Sequence, residues 1–206
     1  HDFSLEFPSR QRSQSAHSAV RINGDKDIDA LTICLWLKSS LESDFGLLRY
    51  FDEAGSDVYF ALRLGSGGQI WLSIHGEDRE LDIMPQIQNG RWHGLCVTWN
   101  KDGGHFLIYY DGRLIRSESG LKSGKSFPSN NTFTLGIGAE EKFNYTGMLG
   151  HVNIWSRVLE HPLLSALSSK CGVERGGLVS WPRFQEDLRG VNVGESCSFH
   201  GEGKHS

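Results

Sequence analysis

The sequence predicts an all-β fold, and three observations support this class. Among 206 residues there are 25 glycines and only 5 prolines, which favours a chain with many tight turns. Apolar runs of strand length recur along the chain, with turn-forming residues between them. Only one segment of the sequence carries helix signals, Pro162–Leu167, where the proline suits the first helical position. We therefore expect strands throughout and one short helix near Pro162–Leu167.

Twelve segments are predicted to form strands, which is more than one open sheet usually holds, so we expect two antiparallel sheets packed face to face. The segment Leu31–Leu37 is apolar at nearly every position and is bracketed by Asp29 and Lys38, which predicts a central strand. In chain order, the twelve predicted strands are Phe3–Phe7, Ala19–Ile22, Leu31–Leu37, Leu47–Phe51, Val58–Leu64, Ile70–His75, His93–Trp99, Phe106–Tyr110, Leu114–Arg116, Thr132–Ile137, Gly150–Trp155 and Leu178–Trp181.

Two hairpins are predicted from the residues between neighbouring strands. Gly65-Ser-Gly-Gly separates Val58–Leu64 from Ile70–His75, and glycines are the usual residues of such a turn. Asp111-Gly112 lies between two apolar runs, and this dipeptide supplies the positive φ angles that a type I′ turn requires. These turns predict antiparallel pairing of the strands on either side.

Composition and chain ends narrow the class of protein. The formal net charge of −4 argues against a nucleic-acid partner, which needs a dense basic face. No run approaches the roughly 18 apolar residues of a membrane span, and the first residues do not resemble a signal peptide. We expect one domain over residues 1–199, taken from a mature or larger chain, with a tail or linker over 200–206.

The cysteines allow two interpretations. None lies in a CxxC pair, which argues against a zinc knuckle or a redox motif. Unpaired core thiols would be typical of a cytosolic protein, whereas disulfides would indicate an extracellular one. The even number of cysteines and the N-glycosylation sequons at Asn130 and Asn144 favour disulfides. The four cysteines are Cys34, Cys96, Cys171 and Cys197.

Six segments carry a resemblance to a known family. They are Ala30-Leu-Thr-Ile-Cys-Leu-Trp-Leu-Lys, Arg91-Trp-His-Gly-Leu-Cys-Val-Thr-Trp, Phe106-Leu-Ile-Tyr-Tyr-Asp-Gly-Arg-Leu, Thr134-Leu-Gly-Ile-Gly, Gly147-Met-Leu-Gly-His-Val-Asn-Ile-Trp and Gly177-Leu-Val-Ser-Trp. In this order they resemble motifs of the pentraxin family, over a stretch from about Phe7 to Trp181. The resemblance implies a jelly-roll sandwich of the concanavalin and laminin-G-like kind, and it implies oligomers, either a dimer or a larger assembly.

The resemblance also implies how the cysteines pair. Cys34 and Cys96 lie in the segments that resemble the two disulfide-bonded pentraxin strands. Cys171 and Cys197 bracket the last motif and would tie the C-terminal segment into a second loop. That second pair is more similar to the pentraxin domains of neuronal pentraxins and adhesion-type receptors, where the domain belongs to a larger extracellular chain.

Calcium binding is the chemistry that the resemblance implies, but the matching positions are depleted of ligands. Calcium takes about six to eight oxygen ligands, and pentraxins bind two ions. The early ligand pair is replaced here by Ser56 and Asp57, and the later acidic loop is shorter. We expect either no cofactor or one calcium ion, held by Asp57, Glu140, Glu141 and Asn144. The alternative is that Glu140 and Glu141 form a solvated loop tip, and a glycan on Asn144 would crowd this face.

Catalysis is not expected from the motifs. The chain has neither HExxH nor GxSxG, and oxidised cysteines would offer no nucleophile. We expect His93 to be a buried structural histidine. A glycoside-active enzyme remains a minor alternative, because sequence does not show whether two carboxyls face each other across a cleft. Trp71 lies in an alternating strand and either fills the core or forms an exposed sugar or protein contact.

These observations predict an extracellular recognition or adhesion module of a larger cell-surface or secreted protein. Its partners would be an extracellular protein or glycan, or further copies of the chain, without nucleic acid and without a membrane span in this segment. The alternative is a calcium-dependent pattern-binding or glycan-binding pentraxin.

Overall fold

Two seven-stranded sheets form the described part of the chain in the computed structural model, and every pairing between named strands is antiparallel. The structure describes residues 2–8, 16–40, 45–54, 57–82, 87–138, 144–172 and 175–200. The predicted tail over 200–206 lies outside this part except for residue 200, so the domain bounds stay a prediction.

The chain passes back and forth between the two sheets, with two runs of consecutive strands that stay within one sheet. Their bounds are β1 Ser4–Phe7, β2 His17–Arg21, β3 Ala30–Lys38, β4 Phe45–Phe51, β5 Val58–Leu64, β6 Gln69–Ile74, β7 Glu77–Asp82, β8 Trp92–Asn100, β9 His105–Tyr110, β10 Arg113–Glu118, β11 Thr132–Leu135, β12 Gly147–Trp155, β13 Leu188–Arg189 and β14 Asn192–Gly194. The first sheet has the order β10-β9-β8-β3-β12-β1-β14, and the second has the order β13-β2-β11-β4-β5-β6-β7. The predicted all-β sandwich is therefore confirmed.

The central strand of the first sheet is buried on both faces. β3 is the fourth of seven strands, and its residues between Ala30 and Lys38 are all buried. Its inner face packs in the main core between the sheets, and its outer face lies under helix α1, His161–Ser169. The indole Nε1 of Trp36 donates a hydrogen bond to the Leu167 carbonyl of this helix, at 3.1 Å. Burial on two sides explains why this strand has no polar alternation.

Helix α1 covers only one face of the sandwich. It packs on β3, β8, β9 and β10, all in the first sheet, over a second cluster of buried apolar residues. In the second sheet, β5 and β6 alternate between buried and half-buried positions, as expected for strands with one face toward solvent. None of the described helices is long and apolar enough to span a bilayer.

Both predicted disulfides are present, and no described cysteine is free. Cys34 and Cys96 lie directly opposite each other on β3 and β8, with their Cα atoms 4.1 Å apart. Cys171, just after α1, is bonded to Cys197 at the start of a 3₁₀ helix, with Cα atoms 5.9 Å apart. The interpretation of the cysteines as unpaired core thiols is therefore wrong.

The Asp111-Gly112 hairpin is confirmed. The φ angles of Asp111 and Gly112 are 47° and 88°, which is the type I′ pattern, and β9 pairs with β10 across this turn. His93 stabilises the hairpin, because its Nδ1 lies 2.7 Å from Asp111 Oδ2 and its Nε2 lies 2.8 Å from Asn89 Oδ1. His93 is buried, in agreement with the structural role expected for it.

One predicted strand is wrong and three strands were not predicted. In the segment Leu178–Trp181, only Val179 forms a bridge, and a 3₁₀ helix begins at Trp181 because Pro182 suits the first turn of a helix. β7, with the sequence EDRELD, contains a single apolar residue and forms an edge strand beside β6. The other two unpredicted strands, β13 and β14, are edge strands of two and three residues.

Candidate ligand site

A cavity of about 230 Å³ opens on the outer face of the second sheet. Strands β4 to β7 form its floor, and the segment Ile137–Gly138 forms one wall. This is the face opposite to the one that helix α1 covers. The cavity therefore lies where the sandwich leaves a sheet surface open to solvent.

One row of side chains crosses the cavity floor in register. Arg49 pairs with Ala61, Ala61 pairs with Ser73, and Ser73 pairs with Asp78, so the four residues share one face of the sheet. Ala61 is the smallest of these side chains and leaves space between Arg49 and Ser73. The row thus places a guanidinium at one end and a carboxylate at the other.

A glycine allows the cavity wall to form. A Cβ atom on Gly46 would lie 2.8 Å from the Gly138 Cα atom, which is closer than real contacts allow. The backbone amide of Gly136 donates to the Leu47 carbonyl at 3.0 Å, which fastens this segment to β4. Arg49 Nη1 donates to the Gly138 carbonyl at 3.3 Å. The wall therefore also orients the Arg49 side chain.

Arg63 and Trp71 form a stacked pair beside this row. They are register partners on β5 and β6, and the Arg63 Cζ atom lies 3.7 Å from the centre of the indole ring. At this distance the guanidinium gains a cation–π attraction. Trp71 is half-buried and lines the cavity, so the interpretation that it fills the core is wrong, and a sugar or protein contact at Trp71 stays a prediction.

Each residue of this pair carries one buried donor atom. Arg63 Nε and Trp71 Nε1 have no hydrogen-bond partner among the described residues. Leaving a buried donor unpaired costs about 1–3 kcal/mol, so such donors are normally bonded to water or to a ligand. Both atoms can only donate, which means that an oxygen-bearing group would satisfy them.

Among the described residues, neither arginine of the cavity forms an ion pair with a carboxylate. In the described part of the chain, no carboxylate lies within ion-pair distance of Arg49 or Arg63; the arginine and lysine ion pairs there are Arg79–Glu118 and Lys101–Asp29. Burial lowers the pKa of Arg49 from its usual value, yet a guanidinium stays protonated at neutral pH. Asp78 is the one carboxylate among the described lining residues.

The predicted calcium ligands are only partly described. Asp57 is exposed, and its backbone carbonyl accepts a hydrogen bond from the Asp52 amide at 3.0 Å. Asn144 is 9 % exposed, and its Oδ1 accepts a hydrogen bond from the Gly138 amide at 3.1 Å. Glu140 and Glu141 lie outside the described residues. The four-residue calcium site therefore stays a prediction, and Asn144 already has a structural role in holding the cavity wall.

The two sequons differ in exposure. Asn130 is exposed, and its side-chain amide exchanges two hydrogen bonds with the backbone of Gly24, at 2.9 and 3.1 Å. Asn144 is buried under the wall segment. Glycosylation of either residue stays a prediction.

The one cluster of possible metal ligands found among the described residues is unsuitable for a metal. It consists of His151, Cys171 and Cys197. Both sulfur atoms belong to a disulfide, so neither is available as a thiolate. His151 instead lies 2.8 Å from the Asp2 carboxylate.

Known proteins share this architecture. A family model described as the concanavalin A-like lectin/glucanases superfamily matches residues 13–163. The chain belongs to this superfamily. The rat protein named "Sushi, von Willebrand factor type A, EGF and pentraxin domain-containing protein 1" is 32% identical over 184 residues, which cover 84% of this chain. Together with the structural similarity described next, this relative confirms the pentraxin resemblance.

Two solved structures show the fold of this pentraxin-like domain. The native heptameric SAP-like pentraxin of Limulus polyphemus has a TM-score of 0.78 at 20% identity, and the match covers 96% of each chain. The full extracellular region of zebrafish Gpr126/Adgrg6 has a TM-score of 0.71 at 16% identity, covering 90% of this chain and 25% of that one. The jelly-roll prediction is thus confirmed. The chain spans only 5% of the length of the rat relative.

Sequence reasoning missed both arginines of the cavity. Arg49 and Arg63 each interrupt an apolar strand, in GLLRYF and VYFALRL. A charged residue inside such a strand indicates an outward position, and this signal could have marked both residues as belonging to one open face. What the sequence did not reveal is that they lie over the same cavity.

Proposed function

We propose that this pentraxin-like domain is an extracellular recognition module of a larger protein, and that it binds its partner through the open face of the second sheet. The observation that carries the proposal is the cavity on this face, where Arg63 and Trp71 hold buried donors without described partners. Helix α1 covers the first sheet over β3, β8, β9 and β10. A cavity of about 320 Å³ at the ends of β3 and β12 has Lys38 as its one charged residue among the described lining residues, and the Thr146 hydroxyl is the one buried side-chain polar atom there without a described partner.

The setting of the domain supports this proposal. Two disulfides are typical of proteins from oxidising compartments. The rat relative is about twenty times longer than the matched stretch, and the zebrafish structure is an extracellular region in which the similar fold forms a quarter of the chain. Binding of an extracellular protein or glycan fits these contexts.

Self-association is a further part of the proposal. The Limulus pentraxin is a heptamer, which supports a homo-oligomer of this domain, either a dimer or a larger ring. Light scattering after size-exclusion chromatography measures this directly. A monomer at 100 μM would remove self-association from the proposal and leave ligand recognition intact.

Calcium-dependent binding is the second candidate, with weaker support. Asp57 is exposed at the start of β5, whose next residue Val58 lines the cavity. The Asn144 oxygen, however, already accepts the Gly138 amide. We therefore propose metal-independent recognition first and one calcium ion as the alternative. The glycosidase alternative needs two carboxyls across a cleft, whereas this cavity has Asp78 alone among its described lining residues.

A blocking variant tests the open face as the recognition surface. The biotinylated chain, assembled on streptavidin, would be applied to panels of purified extracellular domains and glycans. We expect saturable binding that Ala61→Trp abolishes, because the indole fills the floor of the cavity. Ala166→Trp is the matched control, since Ala166 is exposed on helix α1.

The reverse pattern of binding by the two variants would contradict the open face as the recognition surface. Binding that survives Ala61→Trp but is lost with Ala166→Trp would place recognition on the helix face. No saturable binding to any member of either panel would argue against a recognition module. Circular dichroism and melting curves establish that each variant is folded, and Ala61→Leu serves as a smaller blocking change.

A further inference from the structure

We propose that the cavity formed by Arg49, Arg63 and Trp71 binds one acidic sugar unit through its carboxylate, and that it does so without calcium. The inference rests on the proposed function, because it names the ligand class for the same open face. It differs from metal-bridged recognition in one respect: here the protein's own guanidinium groups supply the positive charge.

The cationic groups are positioned before any ligand arrives. The guanidinium of Arg63 lies against the indole of Trp71, and Arg49 is held by the Gly138 carbonyl. Guanidinium groups bind carboxylates with parallel charge-assisted hydrogen bonds, which are about twice as strong as neutral ones. Because both side chains are already restrained, little side-chain entropy remains to be lost on binding.

The unpaired donors point to an oxygen-rich ligand. Arg63 Nε and Trp71 Nε1 are both buried, and both lack partners in the described part of the chain. Less than 1 Å² of either atom's surface is exposed, so an oxygen of the sugar would reach them only after a small shift of the Arg63 and Trp71 side chains toward the cavity. Such a shift would replace two unpaired donors by hydrogen-bonded ones.

The acceptors across the floor favour a sugar over an acidic peptide. Ser73 and Asp78 lie in register with Arg49 and offer oxygens that accept hydrogen bonds from hydroxyl groups. An acidic sugar has a single carboxylate and several hydroxyls, so it matches both ends of the row. A peptide with several carboxylates would place negative charge beside Asp78 and beside Glu80, which pairs with Trp71.

The size of the cavity agrees with a single sugar unit. Its volume of about 230 Å³ lies below the range of about 300–1,000 Å³ that is typical of pockets for drug-sized ligands. A longer glycan would therefore bind through one terminal or internal unit, with the neighbouring units in solvent.

Titration with sodium glucuronate in EDTA tests the proposal on the 206-residue chain. We expect binding that glucose, the neutral analogue, does not show at equal concentration, and that weakens as salt rises. Arg49→Gln and Arg63→Gln should each weaken it by about 10- to 100-fold, the effect of losing a hydrogen bond to a charged group. Arg113→Gln is the control with the same change of charge, because Arg113 is exposed on β10 of the first sheet.

Two conservative variants separate recognition from folding. Arg63→Lys keeps the charge but loses the planar fork, so it should bind glucuronate more weakly than the wild type and better than Arg63→Gln. Trp71→Phe keeps an aromatic ring under Arg63 but removes the Nε1 donor, and should also weaken binding. A melting temperature within a few degrees of wild type shows that each variant is folded.

Three results would overturn the inference. Glucuronate binding only when calcium replaces EDTA would show that a metal supplies the charge. Tighter binding of a tetraglutamate peptide than of glucuronate would indicate a protein ligand, and equal binding of glucose would show that the arginines are not used. If the panels show saturable binding that Ala61→Trp blocks while glucuronate fails, the acidic sugar is wrong and the recognition function stands.

Discussion

Replacing Gly46 by alanine is the sharpest test of how the cavity wall is built. The new Cβ atom would lie 2.8 Å from the Gly138 Cα atom and 2.9 Å from the Ile137 carbonyl carbon, so two backbone segments would collide. Neither can move freely, because β4 pairs with β5 and β11 on its two sides. Flexible side chains yield to such a contact, but paired backbone does not.

The expected loss of stability in Gly46→Ala follows from the cost of overpacking. Inserting a methyl group into a filled site costs about 1–3 kcal/mol. For a chain of this size, each kcal/mol lowers the melting temperature by about 2–4 °C, so a loss of about 2 kcal/mol corresponds to about 4–8 °C. We expect Gly46→Ala to melt lower by this amount and to lose glucuronate binding, because the displaced wall no longer orients Arg49.

Calorimetry under non-reducing conditions measures the shift, and a second glycine provides the control. A Cβ atom on Gly177 would lie 3.7 Å from the nearest Trp155 atom, an ordinary contact. Gly177→Ala should therefore be neutral or stabilise by about 0.4–1 kcal/mol through the unfolded chain. If Gly46→Ala melts within about 1 °C of wild type, the segment at 137–138 does not cross β4 as described.

Four further results are expected. The double variant Cys34→Ala/Cys96→Ala removes a disulfide that joins residues 62 positions apart. Its free energy of unfolding in urea should fall by about 4 kcal/mol, because the unfolded chain gains the entropy that the disulfide had removed. An unchanged urea midpoint would contradict this reasoning. Burial raises the pKa of Tyr145. The stability that this neutral phenol contributes is therefore complete below about pH 10, where the unfolded tyrosine is still protonated, and is lost at roughly 1.4 kcal/mol per pH unit above it. Tyr145→Phe should flatten this decline in the free energy of unfolding. Millimolar calcium should leave the melting temperature unchanged, while a rise that Asp57→Asn abolishes would favour the calcium alternative. In secreted material, glycosidase digestion and mass spectrometry should find a glycan on the exposed Asn130 more often than at the buried second sequon, and the reverse occupancy would contradict the exposure argument.

Local patterns were sufficient for most of the strands. β5 begins and ends at the predicted residues Val58 and Leu64, because its side chains alternate between core and solvent. The same rule fails for β7, Glu77–Asp82, whose strand state comes from hydrogen bonds to β6 and not from an apolar face of its own. At Trp181 the apolar run suggested a strand, but the following proline turned the chain into a 3₁₀ helix.

The candidate site depends on strand pairings that local sequence patterns do not predict. Trp71 was recognised as lying in an alternating strand, yet alternation only says that neighbours point to opposite faces and not which face is the outer one. Arg63 became its partner through the β5–β6 register, and Arg49 came close through the β4–β5 register. A shift by one residue in either pairing would have turned these side chains toward the core.

The sequence by itself determined the class of fold, the central place of β3, the type I′ turn at Asp111 and, through family resemblance, the two disulfides. Each of these depends on residues close together in the chain or on motifs preserved as whole segments. Only the tertiary structure decided that α1 covers one sheet and leaves the other open, and that Arg49 and Arg63 lie over one cavity under a wall that Gly46 permits. The physical reason is that strand register and sheet packing bring together residues distant in the chain, and these long-range contacts leave little trace in local sequence.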